Sequence, residues 1–320
     1  MQDSLFSYDD ICLLPKYSEL ETRADGDTSL TFLGRKFQLP VVPANMQDVI
    51  SWDIADALQT NDYFYIMHRF DGANSKIPHD IKECFNDKLF SISLGVNEDS
   101  KREYFELLKN EQVPHFVTID VAHGHHKKVK EMINFLRPKT GVPKAMYPKI
   151  IAGNVATADG YRFLCDLGVD AVKVGIGGGS ICSTRYKTGF HIPTASSVYE
   201  CAQLDLGIPI IADGGLTHFG DVAKALTLGA TMVMSGRWFA ECIDSPAKIH
   251  NGKKIYRGST SFESKGHNNH VEGHTLEITE GSTYADRLTE IQQALRSSIS
   301  YAGGTDLGAF DRVQWKRLTS

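Results

Sequence analysis

Short runs of apolar, largely β-branched residues recur along this chain, each followed by a polar turn and a stretch in which apolar positions return every three to four residues. The runs are Val41–Asn45, Tyr63–Arg69, Leu89–Gly95, His115–Ala122, Lys149–Val155, Ala171–Gly177, Ile208–Gly215 and Met232–Arg237, eight in all. Helical periodicity is clearest over Ile50–Leu58, Lys101–Leu108, His126–Leu136, Ala158–Leu167, Ala195–Leu204 and Phe219–Leu228. Near-continuous apolar runs suit parallel strands covered on both faces, and alternation with helices suits repeated βαβ units. Eight such units predict an α/β fold, a (β/α)8 barrel of the TIM type, in preference to an open doubly wound sheet. The unit after the second run is the least regular, with only Ile81–Phe85 helical in pattern.

Beyond the eighth run, Arg257–Glu280 is rich in Gly, Ser, His, Asn and Glu. It is too polar for core and too long for a simple connection, which predicts a mobile flap over about residues 259–280. A helix over Tyr284–Ser300 closes the barrel, and Tyr301–Ser320 carries no clear pattern. At 320 residues, with no low-complexity tract, residues 1–320 read as one catalytic barrel domain.

Composition narrows the function class. A hydrophobic fraction of 42% with 23% charged residues is that of a globular chain and excludes global disorder. A net charge of −5 provides no whole-molecule field for a nucleic-acid backbone, so any phosphate must be held locally. The start, MQDSLFSYDD, lacks the features of a signal peptide, and no apolar run reaches membrane-spanning length. The cysteines Cys12, Cys84, Cys165, Cys182, Cys201 and Cys242 show no C-x-x-C spacing and read as free thiols, which places the protein in the cytoplasm.

In such a barrel, catalytic groups sit at the C-terminal ends of strands, and phosphate often sits after strands seven and eight. The sixth run ends in Gly175-Ile176-Gly177-Gly178-Gly179-Ser180-Ile181-Cys182, the seventh in Asp213-Gly214-Gly215 and the eighth in Gly236-Arg237. The unusual residue types thus gather at one mouth. The glycine run departs from a dinucleotide fingerprint at Ser180; its backbone suits an anion, a cation or simply a flexible turn. Cys182, trailed by Ser183-Thr184-Arg185, is a solute-accessible nucleophile candidate, the alternative being a buried structural thiol. Asp213 suits ribose hydroxyls or a strand cap, with the glycine N–H groups and Gly236 approaching a phosphate beside Arg237. The histidines His123, His125, His126, His267, His270 and His274 match no zinc pattern and read as solvated or substrate-facing.

GIGGGSICSTRYKTG (175–189) resembles the catalytic loop of the IMP dehydrogenase/GMP reductase family. The resemblance extends over YDDICLLP (8–15), VVPANMQDV (41–49), IMHRF (66–70), TIDVAHGH (118–125), IADGGLTHFGDVAKAL (211–226) and SSISYAGGTDL (297–307). It implies a homotetrameric barrel that binds a purine monophosphate and a nicotinamide cofactor, with Cys182 bonding covalently to purine C2. About twenty residues separate the second and third runs, leaving no space for the paired CBS modules that dehydrogenases insert there. The stretch Lys265–His270 also lacks the Arg-Tyr pair with which dehydrogenases activate water. The resemblance therefore implies the reductive branch: NADPH-dependent conversion of GMP to IMP and ammonia. It assigns proton transfer to Thr184 with Glu272, and nucleotide binding to Ser180, Asp213, Gly214, Gly215, Gly236, Arg237, Gly258, Ser259, Thr260 and Gly273. Cofactor contacts fall on Arg69, Asp120, Val121, Ala122 and Gly177, and a potassium site on the carbonyls of Gly177, Gly179 and Cys182. Gly178 departs from the family, which often has proline there. A dehydrogenase that has lost its CBS insert, or a nucleotide sensor without catalysis, are the rival readings.

Overall fold

The computed structural model describes residues 4–75, 77, 89–137, 147–258 and 274–318. Seven parallel strands curl around a shared interior: Val41–Pro43, Ser91–Leu94, Phe116–Asp120, Lys149–Val155, Ala171–Val174, Ile210–Asp213 and Met232–Ser235. From Phe116–Asp120 onward each neighbours its predecessor, and the last strand returns to the first, with Val233 opposite Ala212 on one side and Val41 on the other. The eighth stave is the second predicted run. It joins the sheet only through Met67, whose N–H donates to the Ser91 carbonyl at 3.0 Å while Ser93 N–H donates to the Met67 carbonyl at 2.9 Å. The fold is the TIM-type barrel, with no inserted CBS module between that stave and the next.

All six clear helical patterns form helices: Trp52–Thr60, Glu98–Lys109, Lys127–Leu136, Ala158–Asp166, Thr194–Ala202 and Gly220–Thr227. Four of the six starts are set by side chains that accept otherwise unpaired first-turn N–H groups, as Asn97 does from Ser100 at 2.9 Å and Thr157 from Gly160 at 3.2 Å. The pattern at Ile81–Phe85 lies outside the described residues. The strand Ala171–Val174 stops short of its predicted run, because Gly175 and Gly177 have φ of +148° and +83° and turn the chain out of the sheet.

Three additions close the barrel. A hairpin, Leu30–Phe32 with Arg35–Phe37, plugs the end where strands begin: Phe32 and Phe37 meet Phe64 at 5.3 and 5.2 Å, and Phe64 meets Phe116 at 5.4 Å. Burying rings of this size stabilises the closed end by roughly 2–3 kcal/mol each. The tail forms a strand, Trp315–Arg317, antiparallel to Ile11–Leu13, and Trp315 packs on Phe6 at 5.2 Å. After the eighth barrel strand, Ile249–His250, Lys253–Arg257 and Thr275–Ile278 form an antiparallel sheet. Thr275–Ile278 belongs to the stretch read as a flap, and residues 259–273 of that stretch lie outside the described residues.

Candidate active site

The floor of the barrel mouth is charged. Lys173, in the otherwise apolar Ala171-Val172-Lys173-Val174, is 2% exposed. Its Nζ donates to Asp120 Oδ1 at 2.8 Å and to Asn45 Oδ1 at 3.3 Å, and lies 3.3 Å from Asp213 Oδ2. Those partners come from the first, fourth and seventh barrel strands, so the lysine reaches across the interior. Asn154, at the irregularity in register between Gly153 and Val155, donates from Nδ2 to Asp213 Oδ2 and to the Gly175 carbonyl, both at 2.8 Å. Burial alone would lower the Lys173 pKa, but Asp120 and Asp213 together outweigh it and hold the ammonium above its ordinary value. Likewise burial would raise the Asp120 carboxyl, and Lys173 with Arg69 outweighs it and lowers it. Arg69 Nε lies 4.0 Å from Asp120 Oδ2, with its guanidinium over the Phe70 ring at 4.7 Å.

Above this floor stands the glycine loop. A Cβ at Gly175 would lie 2.1 Å from the Asp213 carbonyl oxygen, and one at Gly178 would lie 2.4 Å from Thr194 Oγ1. The departure from proline at 178 is therefore matched by a neighbouring hydroxyl that needs the space. The loop closes through Cys182 N–H donating to the Gly179 carbonyl at 3.0 Å, and the half-buried Cys182 Sγ bonds to Thr184 Oγ1 at 3.2 Å. A cavity of about 220 Å³ opens here, bringing together Cys182, Thr184, Arg69, Asp120, Val121, Ala122, Gly177, Asp213 and Gly258. The other described cysteines sit elsewhere. Burial pushes the Cys201 and Cys242 thiols up to about 12 and raises Cys165, whereas Cys12 lines a separate apolar groove.

A second cavity of about 710 Å³ shares Gly178, Gly179, Gly214, Gly236 and Tyr256 with the first, so the two form one cleft. Its lining includes Ser180, Gly215 and Gly236, the residues assigned to a phosphate, with Arg237 beside them. Gly214 and Gly215 have φ of +82° and +78°, a conformation that keeps side chains out of this end. A Cβ at Gly236 would lie 2.0 Å from the Tyr256 hydroxyl, which is how closely the tyrosine covers the eighth strand's exit. Arg237 Nε pairs with Glu241 at 2.8 Å, and Arg185 stacks on Tyr186 at 4.5 Å.

The structure thus gathers the described candidates into one cleft; Ser259, Thr260, Glu272 and Gly273 lie outside the described residues. His123 and His125 are exposed with rings 6.3 Å apart, and His126 caps a helix by accepting from Lys128 N–H at 3.1 Å. Among the described residues no group of three or more His, Cys, Asp and Glu side chains could hold a metal ion. Reading by motif missed Lys173, Asn154 and Tyr256. The lysine was findable, because an ammonium inside a buried strand must have partners. Also missed was Asp48, whose carboxylate accepts from the Arg257 backbone N–H at 2.7 Å and from its Nε at 2.9 Å.

A TIM barrel with one continuous cleft at the strand C-termini, thiol and hydroxyl at one end and bare glycine backbone at the other, has the layout of a barrel enzyme. The IMP dehydrogenase / GMP reductase domain matches residues 5–320, and the chain belongs to that family. It is 43% identical over 321 residues to the GMP reductase of Staphylococcus epidermidis, with 97% of this chain and 95% of that protein covered. Identity is also 43% to the GMP reductases of Staphylococcus carnosus and Staphylococcus aureus strain MRSA252, with the same coverage.

Proposed function

We propose that this protein is a GMP reductase, converting GMP to IMP and ammonia at the expense of NADPH. The observation that carries the reading is the Cys182 Sγ–Thr184 Oγ1 contact of 3.2 Å, placed in a cleft that runs on to the glycine loops. In this reading the phosphate lies against Ser180, Gly215 and Gly236, and Asp213 accepts from the ribose hydroxyls. The Cys182 thiolate attacks C2 of guanine, and the C2–N bond breaks as the amino group takes a proton and departs as ammonia. An amide anion would be a hopeless leaving group, so the proton must be delivered, a role that the family resemblance assigns to Thr184 working with Glu272. A bound nicotinamide supplies the hydride to C2, and collapse of the adduct returns the thiolate and leaves IMP. Arg69, Asp120, Val121 and Ala122 line the cavity on the thiol side, where the nicotinamide would lie. The preference for NADPH over NADH and the homotetramer follow the family resemblance, and the cytoplasmic setting follows from cysteines without paired spacing and a start unlike a signal peptide; no described helix is long and apolar enough to cross a membrane. A potassium ion at Gly177, Gly179 and Cys182 would have to share the Gly179 carbonyl with the Cys182 amide.

One assay tests the reading: oxidation of NADPH at 340 nm with GMP, with ammonia measured in parallel. Equal amounts of NADP and ammonia are expected. NAD reduction with IMP and no NADPH oxidation with GMP would establish the dehydrogenase instead, and tight GMP binding without turnover would establish a sensor.

A further inference from the structure

We propose that Lys173 is a positioning residue that ties the ribose-side carboxylate, Asp213, to the cofactor-side carboxylate, Asp120, and so makes both halves of the cleft depend on one buried ammonium. The inference rests on the GMP reductase reading for the identity of the two ligands, but its geometry stands independently. Lys173 Nζ lies 2.8 Å from Asp120 Oδ1 and 3.3 Å from Asp213 Oδ2, and the lysine side chain is 2% exposed while the carboxylates are 19% and 22% exposed. The ammonium is therefore out of reach of solvent, and the two carboxylates it holds each present a face to the cavity that contains Cys182.

Two unpaired carboxylates in so confined a space would repel each other and turn apart, toward water. With the ammonium between them, each gives one oxygen to the tie, and its remaining acceptor capacity faces the ligand side. Asp213 has a second support in Asn154, at 2.8 Å, which fixes the same oxygen that faces the lysine and so sets the rotation of the carboxylate. Asp120 has Arg69 at 4.0 Å on its other oxygen. Among the described residues, the lysine is the one side chain that touches both. A change at Asp120 on cofactor binding is thereby felt at Asp213 through a single side chain.

The test compares Lys173→Met with the unaltered protein in three measurements: GMP affinity by calorimetry without cofactor, the NADPH KM at saturating GMP, and the rate of Cys182 alkylation by iodoacetamide. Loss of the tie should weaken both GMP binding and the NADPH KM by about tenfold, the scale of a hydrogen bond to a charged group. Alkylation of Cys182 should change little, because its hydrogen-bond partner is Thr184. Lys173→Arg restores a cation within reach of both carboxylates and should recover most of both losses. A shift in one ligand alone, or a lower melting temperature with both constants unchanged, overturns the proposal. Should Lys173→Met fail to fold, Lys173→Gln combined with Asp120→Asn removes one charge of each sign; an unchanged GMP affinity there overturns it equally. Absence of GMP-dependent NADPH oxidation in the unaltered protein would instead refute the functional reading, leaving the calorimetric arm to decide this one.

Discussion

A methyl group at position 236 would sit 2.0 Å from the Tyr256 hydroxyl oxygen and 3.1 Å from the ring carbon that bears it. Gly236→Ala should therefore displace Tyr256 and raise the KM for GMP, while Tyr256→Phe in the same chain removes the nearer atom and should recover part of the loss. Steady-state kinetics on the single and double variants check this; an additive double variant would show that the tyrosine does not mediate the effect. Cys182→Ser should abolish turnover and leave GMP binding nearly intact, since loss of such a nucleophile costs several orders of magnitude. Activity above about one per cent of the parent would contradict the assignment. Thr184→Val keeps the shape but not the hydroxyl, and ammonia release should slow by roughly a hundredfold. Reduction of NADP by IMP, which needs no such proton, should survive, and stopped-flow in both directions separates the two. At this scale the sequence was readable wherever chemistry demanded an unusual residue in a loop, as at Cys182, Asp213 and the glycines. It was opaque at Tyr256, whose position over Gly236 depends on a strand formed 20 residues later.

Lys253–Arg257 shows why a polar segment can still be a core element. Lys254 and Tyr256 are the buried positions of this strand, and the lysine is accommodated because its ammonium donates to the carbonyls of Ile243 and Ser245 at 3.1 and 3.3 Å. Burial lowers its pKa. Alternation of burial was present, but with lysine on the inward side the pattern reads as a polar loop. The strand is pinned to the first barrel loop by Arg257 and Asp48, whose side chains are 14% and 1% exposed. Asp48→Ala removes the carboxylate that both the Arg257 backbone and guanidinium reach, and should destabilise the protein by about 3 kcal/mol. Asp48→Ala with Arg257→Met removes the charge as well, and should recover most of that loss. Urea titrations of the two variants check it; if the double variant is no more stable than the single, the buried charge is not the cause.

Among the described residues, His68 and His115 are imidazoles held neutral by their surroundings. His68 Nδ1 accepts from the Phe70 N–H at 3.2 Å and His115 Nδ1 from the Phe90 N–H at 3.0 Å. Burial, the largest influence on each, brings both pKa values down from 6.5 to about 4. The unfolded chain takes up protons at these sites near pH 6.5 and the folded protein only near pH 4, so unfolding binds protons in between. Stability should fall as pH drops through that window. Melting temperatures at pH 7.5 and 5 check it, and the difference should shrink in His68→Asn; an equal difference would assign the acid loss elsewhere. The sequence by itself determined the repeat of strands and helices, the mouth at which the chemistry gathers and the family, because periodicity and glycine-rich strand exits are local properties of the chain. The second stave, seven residues by pattern, became a single bridge at Met67, since pairing depends on neighbours remote in sequence. The same holds for the tail strand, which finds Ile11–Leu13 across some 300 residues, and for the charged tie at the barrel floor. Lys173 is one residue in an apolar run until three strands close around it. Its partners, and with them the coupling of the two halves of the cleft, were decided only by the closure of the barrel.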